Sequence, residues 1–206
     1  MDKFVYFNHF AFEVKRLNHP ILLDFPERFE TERLLVRAPQ WSDGELVNEA
    51  IRESAEELRK WLPFARNIPS LEESESFVRK ARLNFMERTD MVLHLFDKNG
   101  GAFVGSSGLH RIDWEARRFE IGYWIRSSRS GNGLMTEAVN GITAFAIRYL
   151  EANRIEIRCD SRNSRSASVA KRAGFTLEGV HRNWQRDVDG ALTHTMVFAK
   201  VRGDEF

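Results

Sequence analysis

Cysteine is nearly missing from this chain: Cys159 is the only one among 206 residues. An intramolecular disulfide is therefore impossible, and a thiolate zinc site lacks its second sulfur. Charge excess is missing too. Lysine and arginine number 31 against 30 aspartates and glutamates, a net +1, so no global field favours nucleic acid or an anionic membrane. No apolar run approaches the ~20 residues that span a bilayer. The aromatic opening Met1 to Phe10 is broken by Asn8 and His9 and has no small-residue cleavage site, which makes it a poor signal peptide. The six histidines show no His-x-x-x-His spacing, so no metal is expected. Low-complexity stretches and internal repeats are also absent. These absences together give a cytoplasmic protein with neither membrane nor specific nucleic-acid partner as the expectation. With 42% apolar residues, a chain of this length buries a core without covalent staples.

What is present divides in two. Residues 1–30 form an aromatic-rich arm in which Phe4, Tyr6, Phe10, Phe12 and Val14 largely alternate with other residues, as in a half-buried strand. Pro20 and Pro26 then break the pattern. Such an arm packs on its own domain or on a second copy in a homodimer. Residues 31–206 read as a single domain. Leu34 to Arg37 is a predicted strand, and Ser42 or Asp43 is the predicted cap of a helix to about Glu53. A second short amphipathic piece covers Glu56 to Leu62. Ser70-Leu71-Glu72-Glu73 opens a helix as a capping box, with Phe77, Val78, Ala81 and Phe85 along one face. Met91–Phe96, Ala102–Leu109 and Phe119–Ile125 follow as three strands of an antiparallel meander. Arg154–Cys159 is a further strand, Asn163–Ala173 a helix stopped by Gly174, and strand regions surround Phe175–Leu177 and Thr195–Ala199.

Chemistry concentrates where a strand, a glycine turn and a long helix meet. Met135, Ala138, Val139, Ile142, Phe145, Ala146, Tyr149 and Leu150 recur at helical spacing over 134–150. The turn before them is Ser127 to Gly133. Glycines at 131 and 133 allow close backbone approach, and a helix N-terminus supplies free N–H donors with a positive dipole end. This is an anion site suited to pyrophosphate, although a glycine turn without ligand has the same appearance. Leu134 follows Gly133 where a P-loop needs lysine. Thr136 stands where a dinucleotide fingerprint needs its third glycine, and antiparallel strands precede the turn. A coenzyme A cradle remains.

The residues Glu120-Ile121-Gly122-Tyr123-Trp124-Ile125, Gly131-Asn132-Gly133-Leu134-Met135-Thr136-Glu137-Ala138, Asn163-Ser164-Arg165-Ser166, Arg172-Ala173-Gly174-Phe175 and Leu177-Glu178-Gly179 resemble the GNAT acetyltransferase superfamily. Within it, the chain is similar to the Rim-type branch, which acetylates ribosomal-protein N-terminal amines. The opening Thr31 to Arg37 matches as well, and residues 1–28 are not covered. The resemblance implies an α/β fold: a twisted, mixed, mostly antiparallel sheet flanked by helices. Its one parallel pair would be the strands at Glu120 and Ile155, joined through helix 134–150 in a right-handed crossover. It implies acetyl-CoA as cofactor and direct transfer to a protein N-terminal α-amine. A small amine such as a polyamine or an antibiotic is the alternative acceptor, and a non-catalytic acyl-CoA-binding module is the alternative class. Two positions depart from the family pattern: Ser130 replaces Arg or Gln, and Met135 replaces Gly or Ala.

Site roles follow from that resemblance and the chemistry together. Ser130, Gly131, Asn132, Gly133, Leu134, Met135 and Thr136 form the pyrophosphate cradle. A backbone N–H of the strand Tyr123-Trp124-Ile125 polarises the thioester carbonyl where that strand splays from its neighbour, as the resemblance implies. Asn163 meets the pantetheine arm or caps its own helix. Lys171 and Arg172 meet phosphates or simply face solvent. Glu120 is the candidate base, acting through water, against an ordinary surface glutamate. Ser166 is the candidate proton donor to sulfur, against a first-turn serine. Cys159 reads as core, since direct transfer needs no acyl-enzyme. Trp61 to Phe64 and Trp184 are groove candidates, and Asp187 and Asp189 are turn residues or attractors of the amine.

Overall fold

A computed structural model of the chain describes residues 19–206; the alternating aromatics of the arm, Phe4 to Val14, lie outside the described residues. Strands β1 (Arg28–Glu30) and β2 (Leu34–Arg37) lead to helices α1 (Gly44–Leu58) and α2 (Leu71–Glu87). The meander follows as β3 (Met91–Asp97), β4 (Phe103–Asp113) and β5 (Arg118–Ile125). Helix α3 (Leu134–Leu150) then connects to β6 (Arg154–Asp160), helix α4 (Ser164–Arg172), and the hairpin of β7 (Thr176–Arg186) and β8 (Leu192–Val201). All eight strands form one sheet in the order β1-β2-β3-β4-β5-β6-β8-β7. Every neighbouring pair is antiparallel except β5 and β6. The parallel pair is the one expected around Glu120 and Ile155.

Alternation along the strands sorts two cores onto opposite faces. Leu93, Leu95, Leu109 and Ile121 meet Ala138, Val139, Ile142 and Ala146 of α3 in the larger cluster. Phe96 and Phe103 meet Val47, Ala50, Ile51 and Val78 of the α1–α2 pair in the smaller one. Each fully buried aliphatic side chain of this kind contributes roughly 1.5–3 kcal/mol, which offsets the entropy of ordering the helices. The described end of the arm joins the larger core, with Phe25 edge-on to Phe145 at 5.6 Å and Phe29 stacked on it at 5.3 Å.

One feature of the sheet positions the site. Parallel pairing joins Arg118, Phe119 and Glu120 to Arg154, Ile155 and Glu156, and goes no further. Both strands continue, β5 to Ile125 and β6 to Asp160, so they part and open a wedge in mid-sheet. Along that wedge the backbone of β5 keeps hydrogen-bonding groups that no strand satisfies.

Several local expectations change. Helix α1 runs unbroken to Leu58, so no boundary near Glu53 separates it from a second piece. Neither Ser42 nor Asp43 caps it with a side chain. Glu75 of α2 does so instead, accepting from the N–H groups of Ser42 and Gly44, each at 3.0 Å. The capping box of α2 forms as expected, with Ser70 Oγ accepting from the N–H of Glu73 at 3.1 Å. Phe77 is not on the buried face: it is 55% exposed, while Val78, Ala81 and Phe85 are buried. Strands β4 and β7 run well beyond the stretches around Ala102–Leu109 and Phe175–Leu177.

Candidate active site

The glycine turn ends in two left-handed residues, Gly131 at φ 82° and Gly133 at φ 78°, with Gly133 as the N-cap of α3. A left-handed conformation costs other residues about 1–2 kcal/mol, which accounts for glycine at both places. The consequence is a row of donors. Among the described residues, the backbone N–H groups of Gly131, Asn132, Gly133, Leu134, Met135 and Thr136 have no hydrogen-bond acceptor, and no side chain caps the helix. Six adjacent free amides at a positive dipole end suit a diphosphate. The turn is tethered from both sides. Helix α1 holds its start: Ser54 Oγ accepts from the N–H of Ser127 at 2.9 Å, and Glu53 from that of Ser128 at 2.9 Å. On the other side Arg33 donates to the carbonyl of Asn132 at 2.9 Å and pairs with Glu137 at 2.6 Å. Leu134 and Met135 turn their side chains into the core, so bulky Met135 does not crowd the cradle. Ser130 is exposed, its hydroxyl donating to the Ser127 carbonyl at 2.9 Å. Arg172 reaches Thr136 Oγ1 at 3.3 Å, whereas Lys171 is an exposed side chain of α4.

Beside the wedge a hydroxyl pair forms. Asn163 caps α4, its Oδ1 accepting from the N–H of Ser166 at 3.0 Å, which leaves its amide nitrogen free to donate. Tyr123, from the middle of β5, lies with its hydroxyl 2.9 Å from the carbonyl of Ser166 and 3.0 Å from Ser166 Oγ. Burial pushes the Tyr123 phenol well above its usual range, the contact with Ser166 opposing, so both oxygens carry protons at neutral pH. The sequence points to the backbone of the strand Tyr123-Trp124-Ile125 but not to the Tyr123 hydroxyl. Period-2 alternation was the available signal, because it sets Tyr123 on the face opposite Trp124 and toward α4. Burial likewise pushes the Cys159 thiol up, against a hydrogen bond with Ser166, and a protonated, buried thiol is a poor nucleophile.

The other face of the sheet holds a cavity of about 330 Å³ between the α1–α2 pair and strands β3 to β5. Its wall includes Ile51, Leu62, Phe64, Phe77 and Trp124, with His94 and His110 among them. Leu62 and Phe64 thus join the cavity wall; Trp184 is instead exposed on β7, its ring tilted against that of His181 with centroids 4.7 Å apart. Asp187 holds the β7–β8 turn by accepting from Asp189 and Ala191 and pairs with Arg162 at 3.0 Å. Glu120 stands on the cavity face of β5, and two guanidiniums engage one of its oxygens, Arg111 at 2.8 Å and Arg158 at 3.4 Å. Among the described residues no group of His, Cys, Asp and Glu is arranged to hold a metal, and no helix is long and apolar enough to cross a membrane.

His94 is buried with Nδ1 3.0 Å from Asp43, and its Nε2 has no partner among the described residues. Burial pushes its imidazole below the ordinary 6.5, with Asp43 opposing, so it is neutral. Burial would raise the Asp43 carboxyl, but the Arg37 guanidinium, His94 and the N–H of Gln40 outweigh that and hold it well below the carboxylate range. Both signs point one way. Unfolding lets His94 take up a proton below about pH 6.5 and lets Asp43 do so below about 3.8, so stability falls as pH falls. The midpoint of urea unfolding should therefore drop between pH 7.5 and 5, and less steeply in His94→Gln. Equal slopes would show that His94 does not carry the effect.

The comparisons with known proteins agree with this geometry. The model of the GNAT acetyltransferase domain matches residues 33–176. Over 153 residues the chain is 31% identical to YdaF of Bacillus subtilis, covering 74% of this chain and 82% of that one. Over 124 residues it is 29% identical to the ribosomal-protein-serine acetyltransferase of Escherichia coli, covering 59% and 69%. Among solved structures it matches RimL, a ribosomal L7/L12 alpha-N-protein acetyltransferase in complex with coenzyme A, with a TM-score of 0.79 at 23% identity over 85% of this chain and 98% of that one. On the domain match and the likeness to YdaF, the chain belongs to the GNAT acetyltransferase family, in its Rim-type branch, as an N-acetyltransferase that uses acetyl-CoA.

Proposed function

We propose that the acceptor is the α-amine of a protein N-terminus and that ribosomal proteins are the substrate class. The observation that carries this reading is the meeting of two compartments at one stretch of β5. The cradle and hydroxyl pair lie on the α3–α4 side of Gly122 to Ile125, and an apolar cavity lies on the α1–α2 side. The ribosomal-protein acceptors in the names of the Escherichia coli relative and of RimL support it. Such an acceptor sets the protein in the cytoplasm, with residues 1–30 as an arm on a catalytic domain of 31–206.

Bound acetyl-CoA supplies an activated acetyl thioester. In this proposal the amides of Gly131 to Thr136 grip the pyrophosphate beside Ser130, Lys171 meets a phosphate, and the Asn163 side-chain amide donates to the pantetheine arm. The backbone N–H of Ile125 faces the wedge and donates to the thioester carbonyl as negative charge builds on its oxygen, whereas Trp124 pairs with Ser106 of β4 and turns its N–H away from the wedge. The Ser166 and Tyr123 hydroxyls return a proton to sulfur. Glu120 is the carboxylate of the acceptor face and acts through water on an amine whose pKa near ~7.7–8.0 asks for only a weak base.

Thiol release from acetyl-CoA tests the reading, with peptides that begin Ser or Ala set against spermidine and an aminoglycoside. Peptides should exceed the small amines at least about tenfold in kcat/KM, a difference of roughly 1.4 kcal/mol. The reverse order would assign a small-amine acceptor. Acetyl-CoA binding with no thiol release for any acceptor would assign a binding module.

A further inference from the structure

We propose that His110, oriented by Asp90, is the group that takes the proton from the acceptor amine. The inference rests on the acetyltransferase reading above and names a residue outside the roles set out there.

His110 lies on β4 directly across from Glu120, on the cavity face of the sheet. Its Nδ1 is 2.8 Å from Asp90 Oδ2, in the turn before β3. A carboxylate there fixes the proton on Nδ1 and leaves Nε2 as a lone pair, the arrangement a general base requires. Among the described residues nothing hydrogen-bonds to that Nε2. The ring has been given room. A Cβ built on Gly122 would stand 3.0 Å from His110 Cδ2 and 3.2 Å from Nε2, and one built on Gly108 would stand 3.1 Å from Cε1. Two glycines on neighbouring strands thus make a bare floor on which the imidazole lies. Its Nε2 edge projects over β5 one residue before Tyr123.

That placement fits the geometry of acyl transfer. Nε2 sits on the cavity face of β5, and the Tyr123–Ser166 hydroxyls sit on the other. An amine arriving from the cavity attacks the thioester carbon from the His110 side, and sulfur departs toward the hydroxyl pair. As the nitrogen–carbon bond forms and the carbon–sulfur bond breaks, one proton passes from nitrogen to Nε2. One passes from the hydroxyl pair to sulfur; the partly exposed imidazolium then releases its proton to solvent, and the hydroxyl pair regains one from solvent once the free thiol leaves. Before the nitrogen–carbon bond forms, the incoming ammonium gives up its first proton through water to Glu120, one oxygen of which is held by Arg111 and Arg158, and on to solvent, so that the amine reaches the carbon neutral.

The test uses the full chain with acetyl-CoA and the Ser- and Ala-initiated peptides. In His110→Ala, kcat/KM should fall about 100-fold, the low end of general-base contributions, with acetyl-CoA affinity by calorimetry unchanged. Added imidazole, filling the space over Gly108 and Gly122, should restore activity at least tenfold in the variant and not in the wild type. A loss below about threefold, or a larger loss that imidazole leaves untouched, overturns the proposal. In wild-type protein carrying 15N-histidine and bound to coenzyme A, added peptide should shift the His110 Nε2 resonance; no shift at saturating peptide overturns it whether or not the variant folds. No thiol release by the wild type with any acceptor would sink the acetyltransferase reading and this inference together. Full activity in His110→Ala would sink this inference alone.

Discussion

Replacing Gly131 and Gly133 together with alanine is expected to weaken acetyl-CoA binding about 100-fold while leaving the fold standing. Each alanine at φ near +80° is strained by about 1–2 kcal/mol. Nothing lies within 4 Å of a Cβ on Gly131, and the nearest atom to one on Gly133 is a terminal Arg33 nitrogen at 3.6 Å. The strain is therefore relieved by local unwinding of an exposed turn, not by disruption of the core. Unwinding scatters the six amides, and a strain of roughly 3 kcal/mol, at 1.4 per tenfold, gives the stated loss. Calorimetry on the double variant, with its thermal midpoint as the control on folding, checks the result. Unchanged affinity would mean that the amides are not the grip.

The second large effect concerns the hydroxyl pair. Tyr123→Phe removes one oxygen and keeps the ring in its packed place; Ser166→Ala removes the other. Each should lower kcat about 100-fold with little change in acetyl-CoA affinity, because sulfur needs its proton only as the bond breaks. The double variant should be little worse than either single one, since the two hydroxyls, 3.0 Å apart, act as one donor. Multiplicative losses in single-turnover kinetics would contradict a shared donor, and full activity in both single variants would remove the pair from the chemistry.

These sites differed in how far the sequence exposed them. The cradle was legible because strand, turn and helix are consecutive, and the helical spacing from Met135 to Leu150 changes abruptly from the alternation before it. The parallel pair was legible for the same reason: a long helix between two strands permits it. What stayed hidden depended on distant partners. Asp43 has the look of an N-cap, yet its carboxylate faces Arg37 and His94 while Glu75, 31 residues beyond Gly44, caps α1. Tyr123 meets Ser166 across 43 residues and two elements. Strand β7 gave little alternation to read, because nearly all its residues are exposed, and Trp184 lies on it as a surface side chain. His110 is one of six histidines until the sheet register sets it over Gly122.

Hydrogen exchange read by NMR at the individual amides of Gly131 through Thr136 tests the central claim most directly. Coenzyme A should slow exchange at these six positions together, and pantetheine, which lacks the diphosphate, should leave them fast. Protection centred elsewhere in the chain, or equal protection by pantetheine, would contradict it.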